Sequence, residues 1–183
     1  MEQRLRHRRR VCLIAAALLL VVQPVALAQA EPSDEDDQPA IVGVQVQGLG
    51  RFAHGEQVPL PRVLQALGAP LQREASPYEC GSAYDHGDIQ LLSWAGQAWE
   101  SDGLTAVLRR FEPGRAGALL LSNGQRIDLR STGASVMQQL PRAHASDGTV
   151  HVTADPRGRF EERYDLRFDA HGRLFQVDYW IAC

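Results

Sequence analysis

"RYDLRF" (163–168) and "RLFQVDYWIA" (173–182), joined by "DAHG" (169–172), decide how the fold is read. Tyr164, Leu166 and Phe168 share one parity, and Arg163, Asp165 and Arg167 share the other. A period of two belongs to a strand with one face buried and one in water. The second run repeats the pattern. Phe175, Val177, Tyr179 and Ile181 point one way, opposite Gln176, Asp178 and Trp180. Two such strands around a turn predict an antiparallel sheet, with its apolar face on a helix and its polar face open to solvent or a partner.

Upstream lies that helix. In "VMQQLPRA" (136–143), Val136, Met137 and Leu140 form an apolar face, Ser131 or Thr132 supplies the N-cap and Pro141 ends the run. The preceding "ALLLSNGQRIDL" carries Asn123-Gly124, a strong hairpin signal. The same V-x-Q-x-L spacing occurs in "VLQALGAP" (63–70). There Leu60, Val63, Leu64 and Leu67 make one face, Pro61 suits the first turn, and Gly68 with Pro70 stops the helix. "IVGVQVQ" precedes it, and "DIQLLSWA", "QAWE" and "LTAVLRRF" follow. The expectation is an α+β protein of two tandem repeats, 41–116 and 117–183, each a short helix packed on an antiparallel β-sheet.

The N-terminus reads as an export signal. "MEQRLRHRRR" is a basic n-region, "VCLIAAALLLVV" an apolar h-region, and Ala28-Gln29-Ala30 a cleavage site. The apolar run falls short of the roughly 20 residues of a membrane-spanning helix. Cys12 stands at its start, far ahead of Ala28-Gln29-Ala30, so it cannot serve as a lipidated cysteine at the cleavage point. A periplasmic or secreted protein without membrane span or lipid anchor is expected, with Arg9-Arg10 leaving the twin-arginine route open beside general export. Without residues 1–30 the chain keeps 14 arginines and 21 acids, a net charge of −7. Five of the acids sit in "EPSDEDD", so residues 31–40 read as an acidic disordered leader. With no basic stripe to neutralise phosphates, nucleic-acid binding is disfavoured. Lysine is absent, which excludes Schiff-base chemistry on a lysine.

Two cysteines remain in the exported chain, Cys80 and Cys183. An even pair in an oxidising compartment predicts a disulfide that staples the repeats. Closing a loop of that length is worth up to about 4.7 kcal/mol in the chain-entropy treatment. Cys80 lies in "SPYECGSAYDHGD" (76–88), where His86 is a candidate base for a cysteine nucleophile and Asp85, His86 and Asp88 are candidate metal ligands. A thiolate would compete with its disulfide partner, and no HExxH, H-x-x-x-H or C-x-x-C spacing supports a metal. The stretch reads as a loop around a staple.

The "LG.P" helix end, the tryptophan strand "LLSWAG" and a later "DG" turn resemble the SmpA/OmlA (BamE-like) envelope module. Arranged in tandem with a disulfide, they also resemble the β-lactamase inhibitory protein group. The resemblance implies the tandem fold and a tendency to bind proteins, and it carries no contact residue across.

Enzyme templates are weak. No G-x-S-x-G elbow or phosphate loop occurs, and "GLGRFAHG" (48–55) has its third glycine misplaced for a dinucleotide site. Glu161-Glu162, or Asp85 with Asp88, could do glycosidase work only if the fold paired them across a cleft. Trp94 and Trp99 read as packing residues. Trp180, on the polar parity, either contacts a partner or packs beneath another segment. With Arg163, Asp165, Arg167, Gln176 and Asp178 it outlines an amphipathic binding face. The expected function is non-enzymatic: an exported protein-binding module, of inhibitor or immunity type, with a protein partner and no cofactor. The alternatives are an envelope-assembly accessory and a small hydrolase using Cys80/His86 or a carboxylate pair.

Overall fold

The computed structural model describes residues 38–78, 81–154 and 162–182. The expected signal peptide, residues 31–37 of the leader, Cys80, Cys183 and Glu161 lie outside the described residues. In chain order the elements begin with β1 (Ile41–Val46), β2 (Gly50–Phe52), β3 (Val58–Pro59), α1 (Leu60–Leu67), β4 (Gln72–Ala75), β5 (Gln90–Trp94) and β6 (Gln97–Ser101). They continue with β7 (Thr105–Phe111), β8 (Gly117–Leu121), β9 (Arg126–Ile127), α2 (Gly133–Gln139), β10 (His144–Ser146), β11 (Thr149–Thr153), β12 (Arg163–Phe168) and β13 (Leu174–Trp180).

These elements build two antiparallel sheets, not two tandem α+β repeats. The smaller runs β2-β1-β8-β9, and the larger runs β10-β11-β12-β13-β7-β6-β5-β4, with β3 added beside β7. Strand accounts for 46% of the described residues and helix for 11%, so the architecture is mostly β. Both sheets cross the expected boundary between residues 116 and 117. β1 pairs with β8 from Val46↔Gly117 to Ile41↔Leu121, and β13 meets β7 at Val177↔Phe111 and Asp178↔Arg110. The shared V-x-Q-x-L spacing reflects two short helices with one apolar face each. Helices of eight and seven residues are too short to cover a sheet, and residues of the second sheet share the core with them.

The core lies between the sheets and is continuous. Ile41, Val44, Val46, Leu119 and Ile127 of the small sheet join Leu92, Trp99, Phe111, Val152, Leu166 and Val177 of the large one, with Val63 of α1 and Val136 of α2. Trp94 and Trp99 are both buried in it. The Trp94 indole N–H donates to the Gly68 carbonyl at 3.1 Å, where φ of 76° lets glycine close α1. At α2, Thr132 is the N-cap and makes a reciprocal capping box with Ser135. "GLGRFAHG" begins as the β1–β2 turn, a hairpin connection with no helix directly after it.

Two bulges redirect side chains. Along β6–β7 the register steps from Ala98↔Arg110 to Trp99↔Leu108, leaving Arg109 unopposed. Along β12–β13 it steps from Arg167↔Gln176 to Phe168↔Leu174, leaving Phe175 unopposed. Phe175 is consequently 46% exposed while Leu174 is buried, which corrects the expected inward position of Phe175.

Cys80 and Cys183, the two cysteines of the expected staple, fall outside the described residues. The described part of the 76–88 loop is held by polar contacts to the sheet. Glu100 Oε1 accepts from the Ser76 hydroxyl at 2.6 Å and the Ser82 hydroxyl at 3.0 Å, and Glu100 Oε2 accepts from the Ala83 N–H at 3.0 Å.

Candidate binding face

Strand alternation sends Arg163, Asp165 and Arg167 of β12 and Gln176, Asp178 and Trp180 of β13 to one side of the large sheet. The pairing extends that side into a row across five strands: His144↔His151, His151↔Asp165, Asp165↔Asp178 and Asp178↔Arg110. Two carboxylates thus stand directly opposite each other, an arrangement that destabilises a sheet unless cations flank it. The row itself and its two neighbours provide them. Arg163 Nε lies 2.9 Å from Asp165 Oδ1, while Arg110 Nε and Arg167 Nε lie 2.7 and 3.2 Å from the two oxygens of Asp178. Gln176 Nε2 adds a donor to Asp178 at 2.7 Å. All six residues expected to form the face are therefore on one surface; Arg163, Arg167 and Gln176 contact the carboxylate pair of Asp165 and Asp178.

The face is layered. The side chains of Asp165 and Asp178 are only 17% and 15% exposed, whereas Arg163, Arg167 and Arg110 are 41%, 52% and 46% exposed. Acids form the floor and guanidiniums the top. Burial pushes the Arg110 guanidinium down, but the hydrogen bond and charge of Asp178 outweigh it and hold it above its ordinary value. Trp180 is half-buried because the Arg163 guanidinium lies 4.3 Å from its ring centroid. At the free edge, His151 Nδ1 lies 2.7 Å from Asp165 Oδ1, and Ser146 Oγ lies 3.0 Å from His151 Nε2. Arg110, His144, Ser146 and His151 were not singled out from sequence. The alternation of "TVHVT" places His151 on the polar parity, but its neighbours depend on strand pairing.

A second polar cluster is wholly interior. Glu100 and Arg109 are fully buried, with Arg109 Nη1 3.4 Å from Glu100 Oε2. Arg109 Nη2 donates to the Gly81 carbonyl at 3.0 Å, and the guanidinium lies 4.0 Å from the Tyr78 ring centroid. The cavity beside Arg109 also borders His54, Trp99 and Tyr179 and measures about 20 Å³. That is space for one water, not for a substrate. The cluster anchors a loop.

The other sequence candidates are not assembled into a site. Asp85, His86 and Asp88 are exposed in the loop, and among the described residues no group of histidine, cysteine or acid residues is arranged to hold a metal ion. Cys80 and Glu161 lie outside the described residues. Glu162 accepts a hydrogen bond from the Tyr179 hydroxyl at 2.6 Å. Among the described residues no helix is long and apolar enough to cross a membrane. No family model, no curated protein and no solved structure matches the chain.

Proposed function

We propose that this chain is an exported protein-binding module of the bacterial envelope, of inhibitor or immunity type, which docks a partner enzyme on the outer face of β7, β12 and β13. One observation carries this reading. Arg110, Arg163 and Arg167 each direct Nε to the carboxylate floor, and their terminal amino groups have no partner among the described residues. The acceptors of the face are spent internally, while its three arginines stay 41–52% exposed and one of them lies over Trp180. Guanidiniums held in place lose less conformational freedom on binding and suit carboxylates and backbone carbonyls. The ion pairs themselves, exposed on their arginine side, are worth about 0–1 kcal/mol each to the fold, so stability alone is a poor reason for the array. The partner chemistry that fits is an acidic protein loop.

The test is capture from envelope fractions of the producing cell and of neighbouring species. Wild-type bait is compared with Arg163→Glu/Arg167→Glu and with Arg126→Glu on the other sheet. A partner held one-to-one by wild type and by Arg126→Glu, weakened by salt and lost with the double reversal, supports this face. Capture unchanged by the double reversal removes it.

A further inference from the structure

At the edge of the large sheet, Ser146 and His151, which the docking reading does not use, stand in a relay with Asp165 of the carboxylate floor. Ser146 ends β10, and Asp147-Gly148 turns the chain back into β11, with the pair Ser146↔Thr149 closing the hairpin. Asp147 has φ of 50° and is the only non-glycine residue with positive φ among the described residues. This tight turn fixes Ser146 on the same side of the sheet as His151. Ser146 is exposed, while the side chains of His151 and Asp165 are 16% and 17% exposed. The serine is therefore open to a reactant while the two groups behind it are largely covered.

We propose that Ser146, His151 and Asp165 form a nucleophilic relay in which Ser146 accepts an acyl group from small activated esters. The hydrogen bonding sets the proton positions. Asp165 Oδ1, as a carboxylate oxygen, can only accept, so at 2.7 Å it selects the tautomer with hydrogen on His151 Nδ1. The lone pair of Nε2 then faces Ser146 Oγ at 3.0 Å and is placed to accept its proton. Arg163 Nε holds the same carboxylate oxygen at 2.9 Å. The His144 ring lies 5.0 Å from that of His151, tilted by 30°, and restrains the imidazole from the edge. Base, orienting carboxylate and nucleophile thus meet the geometric definition of a serine triad, which is set by roles and distances and not by position in the chain.

The reaction balances with water as the only co-reactant. Ser146 Oγ bonds to the ester carbonyl carbon while its proton passes to His151 Nε2. The carbonyl carbon then releases the leaving oxygen, which takes that proton and departs as an alcohol or phenol. Water, deprotonated by the same imidazole, cleaves the acyl–Oγ bond, giving a carboxylic acid and restoring the serine. Ser146 is exposed at the sheet edge, so the substrates that fit are small acyl groups on good leaving groups, approaching from the open face. Ser146 and His151 are the reacting groups; Asp165 and Arg163 are positioning residues.

The test uses the folded exported chain and p-nitrophenyl acetate, with the adduct located by peptide mass spectrometry. Ser146 is expected to acetylate faster than exposed Ser122, and Ser146→Ala to abolish that adduct. His151→Ala is expected to slow its formation by about 10²-fold, the low end for removal of a general base. Asp165→Asn is expected to slow it as well, and Asp165→Glu to restore part of the rate. A fluorophosphonate probe should mark the same serine. Acetylation of Ser146 no faster than Ser122, or unaffected by His151→Ala, overturns the proposal. If His151→Ala does not fold, the comparison of Ser146 with Ser122 still decides it. Docking tested with Arg167→Glu alone, which leaves the relay's contacts in place, keeps the two readings separately refutable.

Discussion

Replacing Glu100 by alanine tests whether the buried acid organises the 76–88 loop. Both Glu100 and Arg109 have fully buried side chains. One carboxylate oxygen serves Ser76 and Ser82, and the other serves the Ala83 N–H and the Arg109 guanidinium. In Glu100→Ala the guanidinium keeps its charge and loses its counterion. Breaking a buried pair in this way costs about 3–5 kcal/mol, against a total stability of about 5–15 kcal/mol for a domain. The two serine hydroxyls and the amide can turn to water only if the loop lifts, so local opening should accompany the loss. Urea unfolding followed by the fluorescence of buried Trp94 and Trp99 gives the global figure. Hydrogen exchange over residues 81–84 gives the local one. Glu100→Ala combined with Arg109→Met separates the two causes. It removes the stranded charge and should recover most of the global stability, yet the loop amides should still exchange fast. If Glu100→Ala lies within about 1 kcal/mol of wild type, below the cost expected for a stranded buried charge, with those amides still protected, the loop is held by something else and the reasoning fails.

Gly81→Ala should be costly for a related reason. Its φ is 82°, and a Cβ there would collide with the Ile181 carbonyl oxygen. Gly124 has the same φ in open space, so Gly124→Ala should cost only the backbone strain of about 1–2 kcal/mol. A larger drop in denaturation midpoint for Gly81→Ala than for Gly124→Ala is expected, and equal drops would refute the contact. High pH should unfold the protein through its tyrosines. Burial pushes Tyr84 up to about 12 despite its hydrogen bond with Thr105. Burial also raises Tyr164 and Tyr179, with the Glu162 charge adding to both. Free tyrosine ionises near pH 10, so the fold favours the neutral phenols. That stability is complete below about pH 10 and is lost as pH rises toward the folded-state values, with Tyr84 spanning about 10 to 12. Phenolate absorbance should therefore appear together with the loss of far-ultraviolet circular dichroism. Early, reversible ionisation of these tyrosines in folded protein would contradict the burial argument.

What the sequence displayed and what it hid divide along the range of the interactions. Both helices lie where the apolar spacing puts them, with Pro61, Gly68 and Thr132 in their expected roles, because helix and cap signals are carried by residues a few positions apart. Asn123-Gly124 turns β8 into β9 for the same reason. The β1–β8 and β7–β13 pairings join segments about 70 residues apart, and no local pattern specifies them. The tandem reading failed at that point. The binding face was legible as parity in β12 and β13 but not as a site, since the opposition of Asp165 to Asp178 and the Ser146–His151 contact exist only once register is set.

Two departures from strand alternation share a local cause. A bulge shifts parity by one residue. At Phe175 it leaves an aromatic ring in solvent, and at Arg109 it carries a charge into the core. Exposing the ring needs no partner, but burying the charge does. Every other strand residue of "QAWES" is buried too, so Glu100 is the acid the bulge can reach, and the loop must close over both. The 76–88 segment, rich in groups that suggest chemistry, is on this reading composed to satisfy a buried ion pair. Its serines and backbone amides are there because an arginine one strand away stands at an irregular position.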